Sequence, residues 1–324
     1  MSITPEKLKK GDKVMIIAPS TGLKIIGADC RKIAEERLSA LGLKCVFAHN
    51  TTDDNFDMAG SASVHKRVAD IHEAFSDSSV RAVLTVLGGF NSNQLLDYID
   101  YDLIKKNPKI FMGFSDITAL HAAFYAKTGL VTYYGPHYSS LGMEKGCEYT
   151  IENAVKMLFE KGEHELLSSK EWSDDKWYID QNAREFIENE GLWQINKGSA
   201  EGKIIGGNLC TFILTLGTSY RPAFEKDTIL FIEDDSMSDA AIFDRNLQAL
   251  ISQKDFKNVK GIVIGRFQKA SEVSRERLEF LLDKKELKDM PIIANIDMGH
   301  TTPIATIPLG GYARIENGRI FIKD

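Results

Sequence analysis

The sequence predicts an α/β protein: an N-terminal domain whose mostly parallel sheet is flanked by helices, and a smaller, strand-rich C-terminal domain. In the first half, short β-rich runs alternate with helical stretches, whereas apolar strands predominate after residue 201. Alternation of this kind requires crossover connections between parallel strands. The 324 residues are 43% hydrophobic and 27% charged, a composition typical of a globular protein of about two domains.

The predicted N-terminal α/β domain covers residues 1–165. Its strands and helices follow one another at 12–19 (strand), 26–42 (helix), 44–48 (strand), 62–76 (helix), 82–87 (strand) and 109–113 (strand). Ligands bind outside the carboxyl ends of strands in such sheets, so the loops after these strands are candidate sites.

Residues 166–200 interrupt this pattern with polar and charged sequence that contains all three tryptophans, and we interpret them as an insertion loop or linker. The C-terminal domain is predicted at 201–324. Its strands are expected at 228–233, 261–265 and 291–294, with a terminal pair at 304–308 and 313–323.

Composition excludes several functions. The formal net charge is -6 and the basic residues are scattered, which leaves no footprint for a nucleic acid polymer. No apolar run approaches the roughly 18 residues that span a bilayer, and the N-terminus has no signal core, so we predict a cytoplasmic protein without membrane contact. The four cysteines lack metal or disulfide spacing, and we expect neither a metal nor a cofactor.

The most informative segment is Lys109–Thr118, where an apolar strand ends in Gly-Phe-Ser-Asp before a helix. A serine on such a turn can be a nucleophile at the sheet edge, with helical N–H groups near it. Ser115 followed by Asp116 is equally typical of an ordinary helix cap. The sequence around Ser115 leaves both interpretations open.

A nucleophilic serine needs a base, and the base needs a carboxylate to orient it. His300 follows the 291–294 strand in a loop with glycine and proline, and Glu233 closes the 228–233 strand. His49 and His137 also lie near strand ends. His300 could equally be a histidine that only packs against its neighbours, and Glu233 could be an acidic residue in a solvated turn.

Two glycine-rich turns complete the candidates. Gly88 and Gly89 end a strand, and their N–H groups could bind an oxyanion or could simply form a tight turn. Neither G-x-G-x-x-G nor a Walker loop is present. Gly206-Gly207-Asn208 could be a bend before a helix or could line a cleft.

Taken in order, five segments resemble the LD-carboxypeptidase and microcin C immunity peptidase family over about residues 11–311. They are Gly88–Leu96, the Gly-Phe-Ser-Asp-Ile-Thr around Ser115, Gly206–Leu209, Phe-Ile-Glu-Asp at Glu233, and Gly-His-Thr at His300. The resemblance implies the two-domain fold described above with an active site between the domains. Ile117 stands where the G-x-S-x-G elbow of lipases has glycine, which argues against that scaffold.

The resemblance also implies the role of each residue in a serine peptidase that needs no metal. Ser115 would attack, His300 would act as base and then acid, and Glu233 would orient His300. The backbone N–H groups of Asp116 and of the turn at Gly88 and Gly89 would bind the oxyanion. Family members often form dimers, so a homodimer is expected.

The tryptophan-bearing segment favours the immunity-type branch, whose members cleave an amide joining an aspartyl-like group to a nucleotide-like moiety and so confer antibiotic resistance. A tryptophan in that loop would stack on the base, with Trp177 the first candidate and Trp172 the second; Asn208 is a further substrate-binding candidate. The tryptophans could instead pin the loop to the surface. The alternatives are a murein tetrapeptide LD-carboxypeptidase that releases D-alanine in peptidoglycan recycling, or a non-catalytic nucleotide- or peptide-binding module.

Overall fold

The computed structural model describes residues 2–52 and 60–324 of the chain. Within these ranges it contains sixteen strands. They are β1 (Lys13–Ile17), β2 (Lys44–Phe47), β3 (Val80–Thr85), β4 (Ile110–Gly113), β5 (Thr132–Tyr134), β6 (His164–Glu165), β7 (Glu171–Trp172), β8 (Ile187–Glu188), β9 (Trp193–Asn196), β10 (Ala200–Asn208), β11 (Thr228–Glu233), β12 (Val259–Gly265), β13 (Ile292–Ile296), β14 (Ile307–Leu309), β15 (Tyr312–Glu316) and β16 (Arg319–Lys323).

Eight α-helices and several 3₁₀ segments connect these strands in the same part of the chain. The α-helices are α1 (Ala28–Ala40), α2 (Val64–Ser76), α3 (Tyr101–Lys106), α4 (Thr118–Thr128), α5 (Glu148–Phe159), α6 (Leu209–Ile213), α7 (Ala240–Ile251) and α8 (Arg275–Leu282). The 3₁₀ segments are Leu23–Ile25, Ser92–Tyr98, Ser115–Ile117, Ser139–Gly142, Phe256–Asn258, Lys269–Ser271 and Lys285–Leu287. None of the described helices is both long enough and apolar enough to cross a bilayer.

The first sheet has the order β14-β5-β4-β3-β1-β2, and its strands β1 to β5 run parallel. These strands are nearly continuous apolar runs, as expected where helices cover both faces of a sheet. In α2, Val68, Ile71 and Phe75 are spaced three or four residues apart and are all buried, which packs one helical face on the sheet. The predicted mostly parallel N-terminal sheet is confirmed.

The second sheet has the order β6-β16-β15-β10-β11-β12-β13-β9. Its central strands β10 to β13 are parallel, and β15, β16, β6 and β9 extend it with antiparallel pairs. The strand-rich C-terminal region is therefore confirmed, although α7 and α8 connect its parallel strands as crossover helices. Helix α4 is buried along most of its length and contacts elements of both sheets.

The expected terminal strand pair differs in the structure. Strand β14 pairs antiparallel with β5 in the first sheet, and the terminal hairpin is formed by β15 and β16 instead. Asn317 and Gly318 connect them with φ values of 52° and 76°, the left-handed backbone that a tight hairpin turn requires. The separation of the chain into residues 1–165, 166–200 and 201–324 stays a prediction, and the pairing of β14 crosses it.

Candidate active site

Ser115 lies on the sharp turn between β4 and α4, as the sequence predicts. Its φ is 61°, a left-handed backbone that costs a non-glycine residue on the order of 1–3 kcal/mol. The backbone N–H of Ser115 donates to the hydroxyl of Tyr134 over 3.0 Å. No side chain caps the start of α4, so Ser115 does not act as its cap.

His300 and Glu233 lie next to this serine in one hydrogen-bonded series. His300 Nε2 is 2.9 Å from Ser115 Oγ, and His300 Nδ1 is 2.8 Å from Glu233 Oε2. The parallel strand β11 ends at Glu233, and β13 leads into the loop that carries His300. The structure therefore brings together three residues that the sequence separates by 118 and 67 positions, because the two sheets meet at the carboxyl ends of their strands.

Glu233 is fully buried, and protein donors occupy its second oxygen as well. Oε1 accepts hydrogen bonds from the Tyr134 hydroxyl at 2.5 Å and from Asn208 Nδ2 at 3.1 Å. Gly299, with a φ of 110°, passes so close that a Cβ there would lie 2.3 Å from Glu233 Oε2. Only glycine can occupy that position without displacing the carboxylate.

The charges of this pair stabilise each other. Burial alone would raise the pKa of Glu233, but His300 and the donors around the carboxylate reverse this and hold that pKa below its ordinary value. Burial likewise opposes the charged form of His300, yet the attraction of Glu233 raises the pKa of His300 above 6.5. The pair thus favours an imidazolium held against a carboxylate, the state a general base reaches after it accepts a proton.

The turn at Gly88 and Gly89 lies directly against the serine. A Cβ at Gly88 would be 3.0 Å from the Cβ and 3.1 Å from the Oγ of Ser115. Within residues 2–52 and 60–324, the N–H groups of Gly88, Gly89 and Asp116 donate to no protein acceptor. Three main-chain donors are therefore available near the serine hydroxyl, as oxyanion binding requires.

The side chain of Asp116 has a function that the sequence did not suggest. Its buried Oδ2 accepts hydrogen bonds from the hydroxyl of Ser20 and from the backbone N–H groups of Asn91 and Ser92, at 2.7, 3.1 and 2.9 Å. The carboxylate thereby fixes the glycine-bearing loop against the serine turn. Aspartate after the serine is the only signal that the sequence offers here, and nothing local indicates that its carboxylate holds the loop of Asn91 and Ser92.

Asn208 lies at the end of β10 and its side-chain hydrogen bonds are made within the protein. Oδ1 accepts from the backbone N–H and the hydroxyl of Thr211, which caps α6. Nδ2 donates to Glu233 and, over 3.3 Å, to Asp234. This arrangement supports a role in holding Glu233, and substrate contact by Asn208 stays a prediction.

The tryptophan-bearing segment is attached beside His300. Ser173 and Thr302 exchange backbone hydrogen bonds of 2.7 and 2.9 Å, and Arg184 joins Asp175 of the same segment to Thr302. Trp177 of this segment is half-buried and packs edge-on against Tyr178, with ring centroids 6.0 Å apart.

The other two tryptophans have protein partners. Trp172 stacks on the Arg266 guanidinium, 5.2 Å from the ring centre, and lines a cavity of about 600 Å³. Trp193 belongs to β9 and donates to Glu190.

His137 and His121 are buried near Ser115 and are not part of the hydrogen-bonded series. His137 stacks on Phe114 at 4.2 Å, and burial followed by the proximity of His300 lowers its pKa well below 6.5. Burial lowers the pKa of His121 to about 4. Both therefore stay neutral near pH 7. In the described part of the chain no group of three or more His, Cys, Asp or Glu residues is arranged to hold a metal ion.

Comparison with known proteins identifies the family. Residues 14–135 match the model of the LD-carboxypeptidase N-terminal domain, and residues 201–315 match that of the LD-carboxypeptidase C-terminal domain. The chain belongs to the LD-carboxypeptidase family. "Putative carboxypeptidase YocD" of Bacillus subtilis is 52% identical over 312 residues, which cover 96% of this chain and 95% of that protein. The predicted family resemblance is confirmed, and the carboxypeptidase relatives support peptidase activity.

Solved structures of LD-carboxypeptidase family relatives share the whole fold. An MccF-like protein from Bacillus anthracis has a TM-score of 0.96 and 50% identity, with 99% of each chain covered. The microcin C7 self-immunity protein MccF, a protein of Escherichia coli, is solved in complex with aspartyl sulfamoyl adenosine. That structure has a TM-score of 0.89 and 30% identity over 99% of this chain and 98% of the other. The family therefore includes structural neighbours that bind aminoacyl sulfamoyl nucleosides.

Proposed function

We propose that this protein is a serine carboxypeptidase or amidohydrolase of the microcin C immunity type. Its substrate would carry an aspartyl-like aminoacyl group joined by an amide to a nucleotide-like moiety. The observation that carries the proposal is the unbroken series from Ser115 through His300 to Glu233, with contacts of 2.9 and 2.8 Å. A serine hydroxyl within reach of an imidazole that a buried carboxylate orients is the arrangement of an activated acyl-transfer nucleophile.

In the proposed acylation, Ser115 Oγ attacks the carbonyl carbon of the aminoacyl group and its proton passes to His300 Nε2. The carbonyl oxygen becomes an oxyanion, and the free N–H groups of Asp116, Gly88 and Gly89 are the donors available to it. His300 then gives the proton to the amide nitrogen, which leaves as the C–N bond breaks.

In the proposed deacylation, a water molecule takes the place of the leaving group. His300 accepts a proton from that water as it attacks the ester carbonyl, and then returns a proton to Ser115 Oγ as the acid product leaves. Glu233 holds the imidazole orientation and stabilises its charged form in both halves of the reaction. Ser115 follows β4 of the first sheet, whereas Glu233 ends β11 and His300 follows β13 of the second sheet. The proposed reaction therefore depends on the contact between the sheets.

Two observations support the immunity-type substrate. The structural neighbour MccF is solved with aspartyl sulfamoyl adenosine, and the segment that carries Trp177 is fixed to Thr302, two residues beyond His300. A stacked base contributes about 1–3 kcal/mol and tolerates different bases. We therefore propose that Trp177 contacts the base, with Trp172 as the second candidate. A homodimer, with no nucleic acid polymer as partner, remains part of the proposal.

The second candidate function is that of a murein tetrapeptide carboxypeptidase which releases D-alanine. The matching family models favour it, since both are named for LD-carboxypeptidase domains. The same Ser115 chemistry would serve this reaction, so only the leaving group distinguishes the two candidates.

The test compares two substrates and one substitution. Purified protein is incubated with aspartyl sulfamoyl adenosine and, separately, with murein tetrapeptide, and the products are quantified by mass spectrometry. We expect faster cleavage of the nucleoside and a fall of at least about 10³-fold in Ser115→Ala. Faster release of D-alanine would favour the second candidate.

A matched control and a labelling experiment test the serine itself. Ser236→Ala changes a serine in the loop after Glu233 and should leave turnover unchanged. A fluorophosphonate should modify Ser115 in the unaltered protein and should fail to do so in His300→Ala. Undiminished turnover by Ser115→Ala would overturn the proposal in favour of a non-catalytic binding module or another nucleophile.

A further inference from the structure

Tyr134 links two groups of the candidate site through a single hydroxyl. This residue ends β5, and its oxygen accepts the backbone N–H of Ser115 over 3.0 Å. The same hydroxyl donates its proton to Glu233 Oε1 over 2.5 Å. The direction of both hydrogen bonds is fixed, because an amide can only donate and the phenol has one proton to give.

These contacts close a ring of four hydrogen bonds. From Ser115 Oγ the ring passes to His300, from His300 to Glu233, from Glu233 to the Tyr134 hydroxyl, and from there back to the N–H of Ser115. Ser115 therefore takes part in the ring twice, through its side-chain hydroxyl and through its backbone N–H. A displacement of Glu233 would change both the orientation of His300 and the backbone of the nucleophile.

The surroundings of Tyr134 suit this connection. Its side chain is only 1% exposed, so neither hydrogen bond competes with bulk water. Burial first, and then the charge of Glu233, raise the pKa of Tyr134 well above its usual value of 10, which keeps the phenol protonated as a donor. The parallel pairing of Gly113 with Tyr134 sets the tyrosine beside the strand end from which Ser115 emerges.

The backbone of Ser115 needs such support. A left-handed residue is strained unless its surroundings hold it, and the part-buried N–H of Ser115 would lose its acceptor without the Tyr134 hydroxyl. Oε1 of Glu233 accepts one hydrogen bond from Tyr134 of the first sheet and another from Asn208 of the second sheet.

We propose that Tyr134 is a positioning residue of the hydrolytic reaction, which holds the left-handed backbone of Ser115 and the carboxylate of Glu233 in register across the two sheets. This inference rests on the function proposed above. The hydroxyl of Tyr134 contacts the backbone N–H of Ser115 and the carboxylate of Glu233, so its effect passes through these two residues.

Tyr133 provides a matched control on the same strand. It is also fully buried and also donates to a carboxylate, that of Asp324, but successive residues of a strand point to opposite faces of the sheet. Tyr133→Phe therefore removes an equivalent hydroxyl away from the candidate site.

The experiment measures kcat and KM for aspartyl sulfamoyl adenosine in Tyr134→Phe, Tyr133→Phe, Ser115→Ala and Glu233→Gln, and in the double variant Tyr134→Phe/Glu233→Gln. We expect Tyr134→Phe to lower kcat by about 10- to 100-fold with KM changed less than about threefold. Tyr133→Phe should retain kcat. In the Glu233→Gln background the tyrosine substitution should cost less than about threefold, because the two residues act as one unit.

The pH profile of kcat/KM separates positioning from stability, because a variant that is only less stable would keep the acid limb at the same pH. Without the phenol donor, the negative charge of Glu233 is less neutralised and attracts the imidazolium more strongly, so the pKa of His300 rises. The acid limb of the profile should therefore move to higher pH by about half a unit. A fluorinated tyrosine at position 134, a stronger donor of unchanged shape, should move that limb to lower pH. This second variant tests the inference even if Tyr134→Phe folds poorly.

The inference is overturned if Tyr134→Phe folds and keeps kcat within about twofold of the unaltered protein while Ser115→Ala is inactive. It is also overturned if the fluorinated tyrosine leaves the acid limb in place, or if Tyr134→Phe costs the same factor with and without Glu233→Gln. Full activity of Ser115→Ala would instead contradict the proposed function, so the two failures can be told apart.

Discussion

The serine turn of the first sheet and the strand ends of the second sheet contribute to the site in different ways. At the first sheet, apart from the hydroxyls of Ser115 and Tyr134, the groups that shape the site belong to the main chain: a left-handed Ser115, a close Gly88 and free N–H donors. At the second sheet they are side chains, Glu233 and His300, whose hydrogen bonds are satisfied within the protein. The first region is therefore sensitive to added atoms, and the second to lost hydrogen-bonding groups.

Removing the charge at the second sheet should have the largest effect. Glu233→Gln keeps the shape of the side chain but presents an amide to His300, and we expect kcat to fall by about 10³- to 10⁴-fold. The measurement is single-turnover hydrolysis of aspartyl sulfamoyl adenosine, with circular dichroism as the check on folding. Glu225→Gln, at an exposed acid before the start of β11, is the control. Activity above a tenth of the original would contradict an orienting carboxylate.

Adding one methyl group at the first sheet should have the next largest effect. Gly88→Ala places a Cβ about 3 Å from the side chain of Ser115, and we expect kcat/KM to fall by about 10²-fold because the hydroxyl and the nearby donors are displaced. Gly27→Ala is the control, since nothing lies within 4 Å of its added carbon. Equal activity of the two variants would mean that the turn tolerates added atoms and would remove the contrast between the sheets.

Neither sheet carries the tryptophan proposed to contact the base, so its loss should change binding and leave the chemistry intact. We expect Trp177→Ala to raise KM by about tenfold, the equivalent of one stacked base, with kcat nearly unchanged. Steady-state kinetics on aspartyl sulfamoyl adenosine would measure this. Trp172→Ala serves as the comparison because its ring already stacks on Arg266. If only Trp172→Ala raised KM, the second candidate would replace the first.

The smallest expected effect concerns the electrostatics of the second sheet. His300 must be neutral to accept a proton, so activity should fall as the pH drops through its raised pKa, above 6.5. Burial, and then Glu233, raise the pKa of Asp234 to about 7, and the ionised form of Asp234 favours the charged form of His300. Asp234→Asn should therefore shift the acid limb of the kcat/KM profile to lower pH by less than about one unit.

Asp289→Asn, at an exposed acid before the start of β13, is the control for that shift. A shift of the acid limb to higher pH in Asp234→Asn would contradict the assignment of this limb to His300.

The fold was predictable where each strand is a local apolar run. Strands such as β3 and β4 need only their own sequence and the helices that cover them, so their positions followed from pattern alone. The predicted pairing of the strand at 304–308 with 313–323 is wrong, because the true partner β5 lies more than 170 residues earlier and nothing local specifies that pairing. The Asn317-Gly318 turn carried a usable local signal for the terminal hairpin.

In the site, a serine, an acid and a histidine at strand ends made Ser115, Glu233 and His300 candidates. These residues alone left helix capping and packing open, and only the family resemblance implied their roles. Nothing in the sequence indicated the roles of Tyr134 and of the Asp116 carboxylate. Their contacts depend on which strand ends face each other across the sheets, and a buried tyrosine in a β-rich run is otherwise typical of ordinary packing.

The pairing of β14 with β5 also has a consequence for synthesis on the ribosome. The edge of the sheet that carries Ser115 is completed by Ile307–Leu309, which leave the ribosome more than 170 residues after their partner strand β5. His300 emerges only shortly before them. During synthesis Ser115 therefore stays without His300 for the 185 residues that separate them, and the proposed hydrolysis becomes available only after His300 and β14 have joined the fold.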